Sequence, residues 1–207
     1  AGNTSPTSNS VTTNIDSVPP AAPVITPPLA PTNDNTPTLN GTAEPNSSIK
    51  IYDGTTLIGT ATTDGNGDWT FTPTTPLSDG VHNLSASSTD AAGNVSPVSD
   101  VVPFTIDTVS PLATNFSPTP GETNASIYDN LVVTFSEPIA FGSTGTIELR
   151  DSSGTLIESF SVSSSRLSIS GNNLTIDPTA NLALGTSYYV TMGSGSIKDL
   201  AGNAFAG

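Results

Sequence analysis

The sequence predicts an all-β chain folded as two antiparallel β-sandwiches in tandem. Three observations carry this. Apolar residues alternate in short runs cut by Gly, Pro and Asn, and no stretch holds a helical period. The signature Ala-Gly-Asn…Val…Ile-Asp of residues 1–16 returns at residues 92–107, with more than half of the aligned positions identical. Asp199, followed by Ala201-Gly202-Asn203, begins it once more. A recurrence at about a hundred residues is the period of a domain array. The expected division is a terminal strand of a preceding repeat over residues 1–17, a first module over 18–108, and a second module over 109–207 that lacks its last strand. Ala1 falls inside a repeat, so the chain reads as an excerpt of a longer one.

The elements follow in order. In the first module, SIKIYDGTTLIGTAT alternates around Ile49 and Ile51, turns at Asp53-Gly54 and returns through Leu57. Asp-Gly between alternating runs is a strong hairpin signal. In TDGNGDWTFTP a turn precedes Trp69 and Phe71, two apart and so on one face. DGVHNLSAS places Leu84 and Ala86 inward, and VVPFTID closes the module. In the loop DAAGN, Gly93 supplies a positive φ and Asp90 caps backbone amides. The second module repeats the plan with NLVVTFSEP, GTIELRDSSGTLIESFSV, LSISGNNLTIDP and GTSYYVTM. Arg150 and Glu158 are expected to pair across its DSSG hairpin. Roughly seven strands per module suit an immunoglobulin-like sandwich. LALGTSYYV puts Tyr188 after a Gly turn, where a tyrosine corner would tie the loop down. His82, the single histidine, reads as a strand or corner residue bonded to nearby backbone.

Composition excludes several functions. Four Lys and Arg stand against eighteen Asp and Glu, a net charge of -14. That balance excludes the basic patches that nucleic acid needs, and it opposes anionic membrane surfaces. No apolar run approaches the roughly 18 residues needed to span a bilayer, so no membrane insertion is expected. The chain has no Cys, which removes disulfides and thiolate zinc sites. No nucleophile elbow accompanies His82, and no apolar cleft is implied by the scattered aromatics. The chain is not expected to be an enzyme.

TPTLNGTAEPNSSIKIYDGTTLIGTATTDGNGDWTFTPTTPLSDGVHNLSASSTDAAGN resembles the bacterial Ig-like repeats of giant type I-secreted, RTX-type adhesins. SPTPGETNASIYDNLVVTFSEPI and YYVTMGSGSIKDLAGN are similar to the related bacterial Ig-like domain first described in S-layer proteins. The resemblance implies stalk or extender modules, often stiffened by calcium at their junctions.

The acids bear on that implication. With strands threaded as A, B, C, C', E, F, G, the loops holding Asp34, Asp53, Asp79 and Asp107 fall at one pole of the first module. The facing pole of the second carries Asp199 and Glu137. Converging carboxylates repel unless neutralised, and calcium takes six to eight oxygen ligands. Asp34, Asp79 and Asp107, with Asp53, Asp199 and Glu137, are therefore the expected Ca2+ ligands. DGNGD, from Asp64 to Asp68, does not continue as an EF-hand, because Trp69 and Thr75 stand where Gly and Glu are required. It reads as a tight turn.

The function expected is that of an extender in a bacterial cell-surface adhesin, extracellular, projecting a distal binding domain and partnered by neighbouring Ig-like repeats of the same chain. The Pro-rich linkers SVPPAAPVITPPLAPTN and TVSP favour semi-rigid joints. Two alternatives differ in kind: a module that itself grips a glycan or protein, and an accessory domain of a secreted hydrolase.

Overall fold

A computed structural model describes residues 1–2, 15–26 and 31–206. The expected terminal strand over residues 1–17 falls largely on residues 3–14, which lie outside the described residues. Every described element is a β-strand. Two compact units form, one from Ala1–Pro28, Pro37–Thr75 and His82–Pro103, the other from Leu29–Thr36, Pro76–Val81 and Phe104–Gly207.

The first seven strands are β1 (Val24–Thr26), β2 (Leu39–Thr42), β3 (Ser48–Asp53), β4 (Thr56–Thr62), β5 (Asp68–Phe71), β6 (Gly80–Thr89) and β7 (Val102–Ile106). They make a three-stranded sheet, β1-β2-β5, and a four-stranded sheet, β4-β3-β6-β7. The β3–β4 hairpin forms at the Asp-Gly turn, with Gly54 at φ 56°. Ile49 and Ile51 on β3 are fully buried, as are Leu84 and Ala86 on β6. The period-2 pattern thus settles which face of each strand is core.

Trp69 on β5 is 2% exposed and is the largest core side chain. It lies directly over Gly41 of its neighbour β2, where a Cβ would collide with the indole ring and with the Val24 carbonyl oxygen. Glycine stands there because the ring and the neighbouring backbone already fill the space a methyl would need.

The second module holds β8 (Ala113–Ser117), β9 (Leu131–Phe135), β10 (Ile139–Phe141), β11 (Thr146–Asp151), β12 (Leu156–Ser161), β13 (Leu167–Ser170), β14 (Asn173–Ile176), β15 (Tyr188–Met192) and β16 (Ile197–Asp199). Its sheets run β13-β14-β9-β8 and β12-β11-β15, with a short β10-β16 pair. Val133, Phe135, Ile147, Leu149, Phe160, Leu174, Ile176 and Ile197 form one core between them. Phe205 meets Phe135 edge to face, with centroids 5.3 Å apart and planes at 89°. That geometry sets a positive ring edge against a negative ring face.

The expected pair of Arg150 and Glu158 does not form. A bulge between Leu149 and Arg150 places Glu158 opposite Leu149 and Leu156 opposite Arg150. One extra residue in a strand re-aims the side chains beyond it. Arg150 instead binds Glu148 at 2.7 Å and the Gly154 carbonyl at 2.8 Å. Glu158 accepts from the Thr179 amide at 2.9 Å and from its hydroxyl.

The tyrosine corner is present, with the Ala183 amide donating to the Tyr188 hydroxyl at 2.8 Å. Tyr188→Phe removes that acceptor and nothing else. It should cost about 0.5–1.5 kcal/mol, the usual net value of one hydrogen bond. The check is urea denaturation of the second module: a lower midpoint at unchanged slope is expected.

Candidate metal centre

Three short polar turns illustrate how this sequence uses Asp. Asp64 Oδ1 accepts from the amides of Asn66 (2.8 Å) and Asp68 (3.0 Å), which makes DGNGD a closed turn. Asp90 Oδ1 accepts from Ala92 (2.9 Å) and Asn94 (2.8 Å), with Gly93 at φ 93°. Asp151 Oδ1 does the same for Ser153 and Thr155. All three carboxyls are held below the ordinary value of 3.8. The amide of Asp68 contributes most at Asp64, the Asn94 side chain at Asp90 and the Ser153 hydroxyl at Asp151. Each such bond favours the ionised form.

The expected metal ligands differ in where the fold places them. Asp34 accepts from the Thr36 amide at 2.9 Å and from its hydroxyl at 3.2 Å, shaping its own loop. Asp79 binds the amide (3.0 Å) and hydroxyl (2.9 Å) of Thr108. Asp53 Oδ2 lies 2.7 Å from His82 Nδ1, and its Oδ1 accepts from the Asn83 amide at 2.9 Å. His82 is 6% exposed, and its Nδ1 is engaged by a carboxylate 29 residues away in sequence. The pair ties the end of β3 to β6.

Asp107, Glu137 and Asp199 do come together. One ligand atom from each lies within 4.8 Å of the other two, and all three belong to the second compact unit. Asp107 follows β7, Glu137 sits between β9 and β10, and Asp199 ends β16. Asp199 is 1% exposed. Its Oδ1 accepts from the amides of Gly202 (2.6 Å) and Asn203 (2.8 Å), and its Oδ2 from Asn203 Nδ2 (2.7 Å). The same Nδ2 donates to the Asp107 carbonyl at 2.7 Å. Asn203 therefore joins two members of the group.

No ion pair reaches these three carboxylates among the described residues. The cost of that falls on Glu137. Burial raises its carboxyl above the ordinary 4.5, and the charges of Asp107 and Asp199, with a hydrogen bond to the Asp107 carboxyl, push the same way. A carboxyl that favours its proton beside two other acids lies in a place short of positive charge. Calcium supplies two such charges and prefers carboxylate and carbonyl oxygen, so the donor set fits it.

Sequence reasoning missed that the first module repeats half of this arrangement. Asp90 and Asn94 stand where Asp199 and Asn203 do, and Asn94 Nδ2 donates to the Asp16 carbonyl at 3.3 Å. Asp16 accepts from the Val18 amide as Asp107 does from Val109, both at 3.0 Å. The Asp-x-x-Gly-Asn spacing and the Glu-Pro dipeptides at Glu44 and Glu137 were the signal.

Two family models of the bacterial Ig-like domain match, one over residues 30–108 and the other over residues 107–207. Among curated proteins no sequence matches significantly. Three solved structures are similar at 18% identity each. The tetra-tandem repeat in the extending region of a large adhesion protein covers 87% of this chain, and this chain spans 49% of it, with a TM-score of 0.34. For the Clostridium thermocellum CbhA fibronectin(III)-like modules both coverages are 88% and the TM-score is 0.35. For the BSP domain of a biofilm associated protein they are 78% and 25%, with a TM-score of 0.26. Bacterial Ig-like domains are structural modules rather than catalytic ones. Matched by that family over residues 30–207, this chain belongs to it and carries two bacterial Ig-like domains in tandem.

Proposed function

We propose that the chain is an extender segment of a bacterial cell-surface adhesin, and that calcium held by Asp107, Glu137 and Asp199 stiffens it. One observation carries the reading. The chain gathers three carboxylates, one of them where the two family matches meet in sequence, and no ion pair reaches them among the described residues. The repeated modules and their acidity agree with a spacer outside the cell, working beside further repeats of the same kind. The distal binding domain it would project, and export by the type I route of RTX-type adhesins, belong to the same proposal.

Asp107 lies on the connection between the modules, while Glu137 and Asp199 lie within the second. A bound ion would restrain that connection against the second module. The test is small-angle scattering of the 207-residue chain in millimolar calcium and in chelator. Extracellular modules bind calcium at about 10⁻⁴–10⁻³ M, so millimolar calcium fills the site. The expected result is a longer, narrower distance distribution with calcium, while circular dichroism shows both modules folded in each state. Identical distributions would reject the stiffening role.

A further inference from the structure

The second module carries a small recess of about 100 Å³, to which none of the three grouped acids contributes. Its walls come from two loops, one just before β9 and one just after β14. Tyr128, Asp129 and Asn130 stand on the first, Asp177 and Asn181 on the second.

Tyr128 is 75% exposed, more than any other aromatic ring among the described residues. The turn that bears it is well tied. The Tyr128 amide donates to Ser126 Oγ at 3.1 Å, the Asp129 amide to the Ser126 carbonyl at 3.2 Å, and the Ser126 amide to Asp129 Oδ2 at 3.3 Å. The Leu182 amide donates to the Ile127 carbonyl at 3.2 Å and so joins the two loops. Arg166 Nη1 donates to Asp177 Oδ2 at 2.8 Å, which orients that carboxylate. An aromatic ring is thus held in water beside two carboxylates and two amides.

We infer that this recess binds a neutral sugar ring, an accessible pyranose of a glycan. A pyranose presents an apolar C–H face and a rim of hydroxyls. Tyr128 offers an apolar ring face with a polar tip. Carboxylates accept, and a side-chain amide both donates and accepts, so Asp129, Asp177, Asn130 and Asn181 match hydroxyls that do both. A few convergent polar groups beside an aromatic wall fix a ligand's orientation. Charge selects within the class. Two carboxylates against one guanidinium leave a negative balance, which disfavours uronates, sialic acids and phosphorylated sugars. The recess takes only part of one ring, so a single sugar binds weakly, with a Kd of about 1–10 mM. Along an array of modules such contacts add by avidity. That last step rests on the extender reading, and the binding itself does not.

The probes are methyl glucoside, methyl galactoside, methyl mannoside and glucuronate, each titrated into the isotope-labelled 207-residue chain. Chelator is present throughout, so the outcome does not depend on the calcium site. The amide signals of Tyr128, Asp129, Asn130 and Asn181 should shift with at least one neutral glycoside, and glucuronate should leave them in place. Tyr128→Ala should weaken that glycoside by about tenfold or more, because the stacking face is lost. Asn181→Ala should weaken it by about threefold or more, through lost hydrogen bonds to the hydroxyls. Both side chains are exposed, and unchanged signals from β9 and β14 confirm that the variants fold. No shift with any neutral glycoside at about 50 mM, well above the expected Kd, overturns the inference. So do shifts confined to other residues, equal affinity in the parent and Tyr128→Ala, or glucuronate binding as well as the neutral sugars.

Discussion

Trp69→Ala should remove about 3–5 kcal/mol from the stability of the first module. The indole is 2% exposed and spans from β5 over Gly41 of β2. Domains of this size hold about 5–15 kcal/mol in all, so the loss consumes a large part of it. The measurement is urea unfolding followed by circular dichroism and by the dispersed amide signals of β3 and β6. Gly41→Ala tests the same contact from the other side and keeps the chain's single tryptophan as a fluorescent reporter. Its methyl would meet the indole and the Val24 carbonyl, and overpacking of this kind costs about 1–3 kcal/mol. Midpoints within error of the parent for both variants would remove Trp69 from the centre of this account.

Glu137→Gln should weaken calcium binding by about tenfold or more, since it deletes one charged ligand from a site that has few. Among the three acids it is the least entangled with the backbone: Asp199 holds the Gly202 and Asn203 amides and Asp107 holds that of Val109. Isothermal titration of both proteins checks the affinity, and an unchanged value would rule Glu137 out as a ligand. The variant should also change the pH dependence of the calcium-free protein. The folded Glu137 carboxyl titrates above 4.5, whereas in the unfolded chain it titrates near 4.5. Below that value the group is protonated in both states and contributes nothing. As pH rises from 4.5 through the raised folded value, the unfolded state releases its proton first and stability falls. Glu137→Gln should abolish that fall, and calcium should offset it. Asp64, Asp90 and Asp151 work in the opposite direction: their contribution is complete above 3.8 and is lost as pH falls through their depressed folded values.

Local signals carried most of the fold. The β3–β4 hairpin follows from Asp53-Gly54 and the alternation of Ile49 and Ile51. The Asp90–Gly93 turn follows from two residues with known backbone habits. Tyr188 could be placed because a corner needs a Gly turn and a tyrosine a few residues on. What failed was register. Arg150 and Glu158 flank a hairpin correctly, yet one bulged residue turns Glu158 away, and bulges leave no mark in this sequence. The site was legible as a set of acids but not as a grouping. Asp34, Asp53 and Asp79 have the same chemistry as Asp107, and like it each also accepts hydrogen bonds in its own neighbourhood, from a turn, a histidine or a threonine. Asp bonds local amides so readily that its presence in a loop does not indicate a metal. Only the positions of β7, β9, β10 and β16 decide which carboxylates meet.

The Asn203 side chain grips the Asp107 carbonyl, and Asn94 grips that of Asp16 in the same manner. Each module thus clasps the backbone that enters it, through a main-chain atom every residue possesses, using an asparagine of its own. A clasp of this kind is indifferent to which module came before. Gene recombination can then delete or duplicate a whole module, cutting between one Ile-Asp and the next, and every new seam is met by the same asparagine. The number of modules becomes a heritable variable that changes in whole-module steps, with no compensating substitution required at the splice.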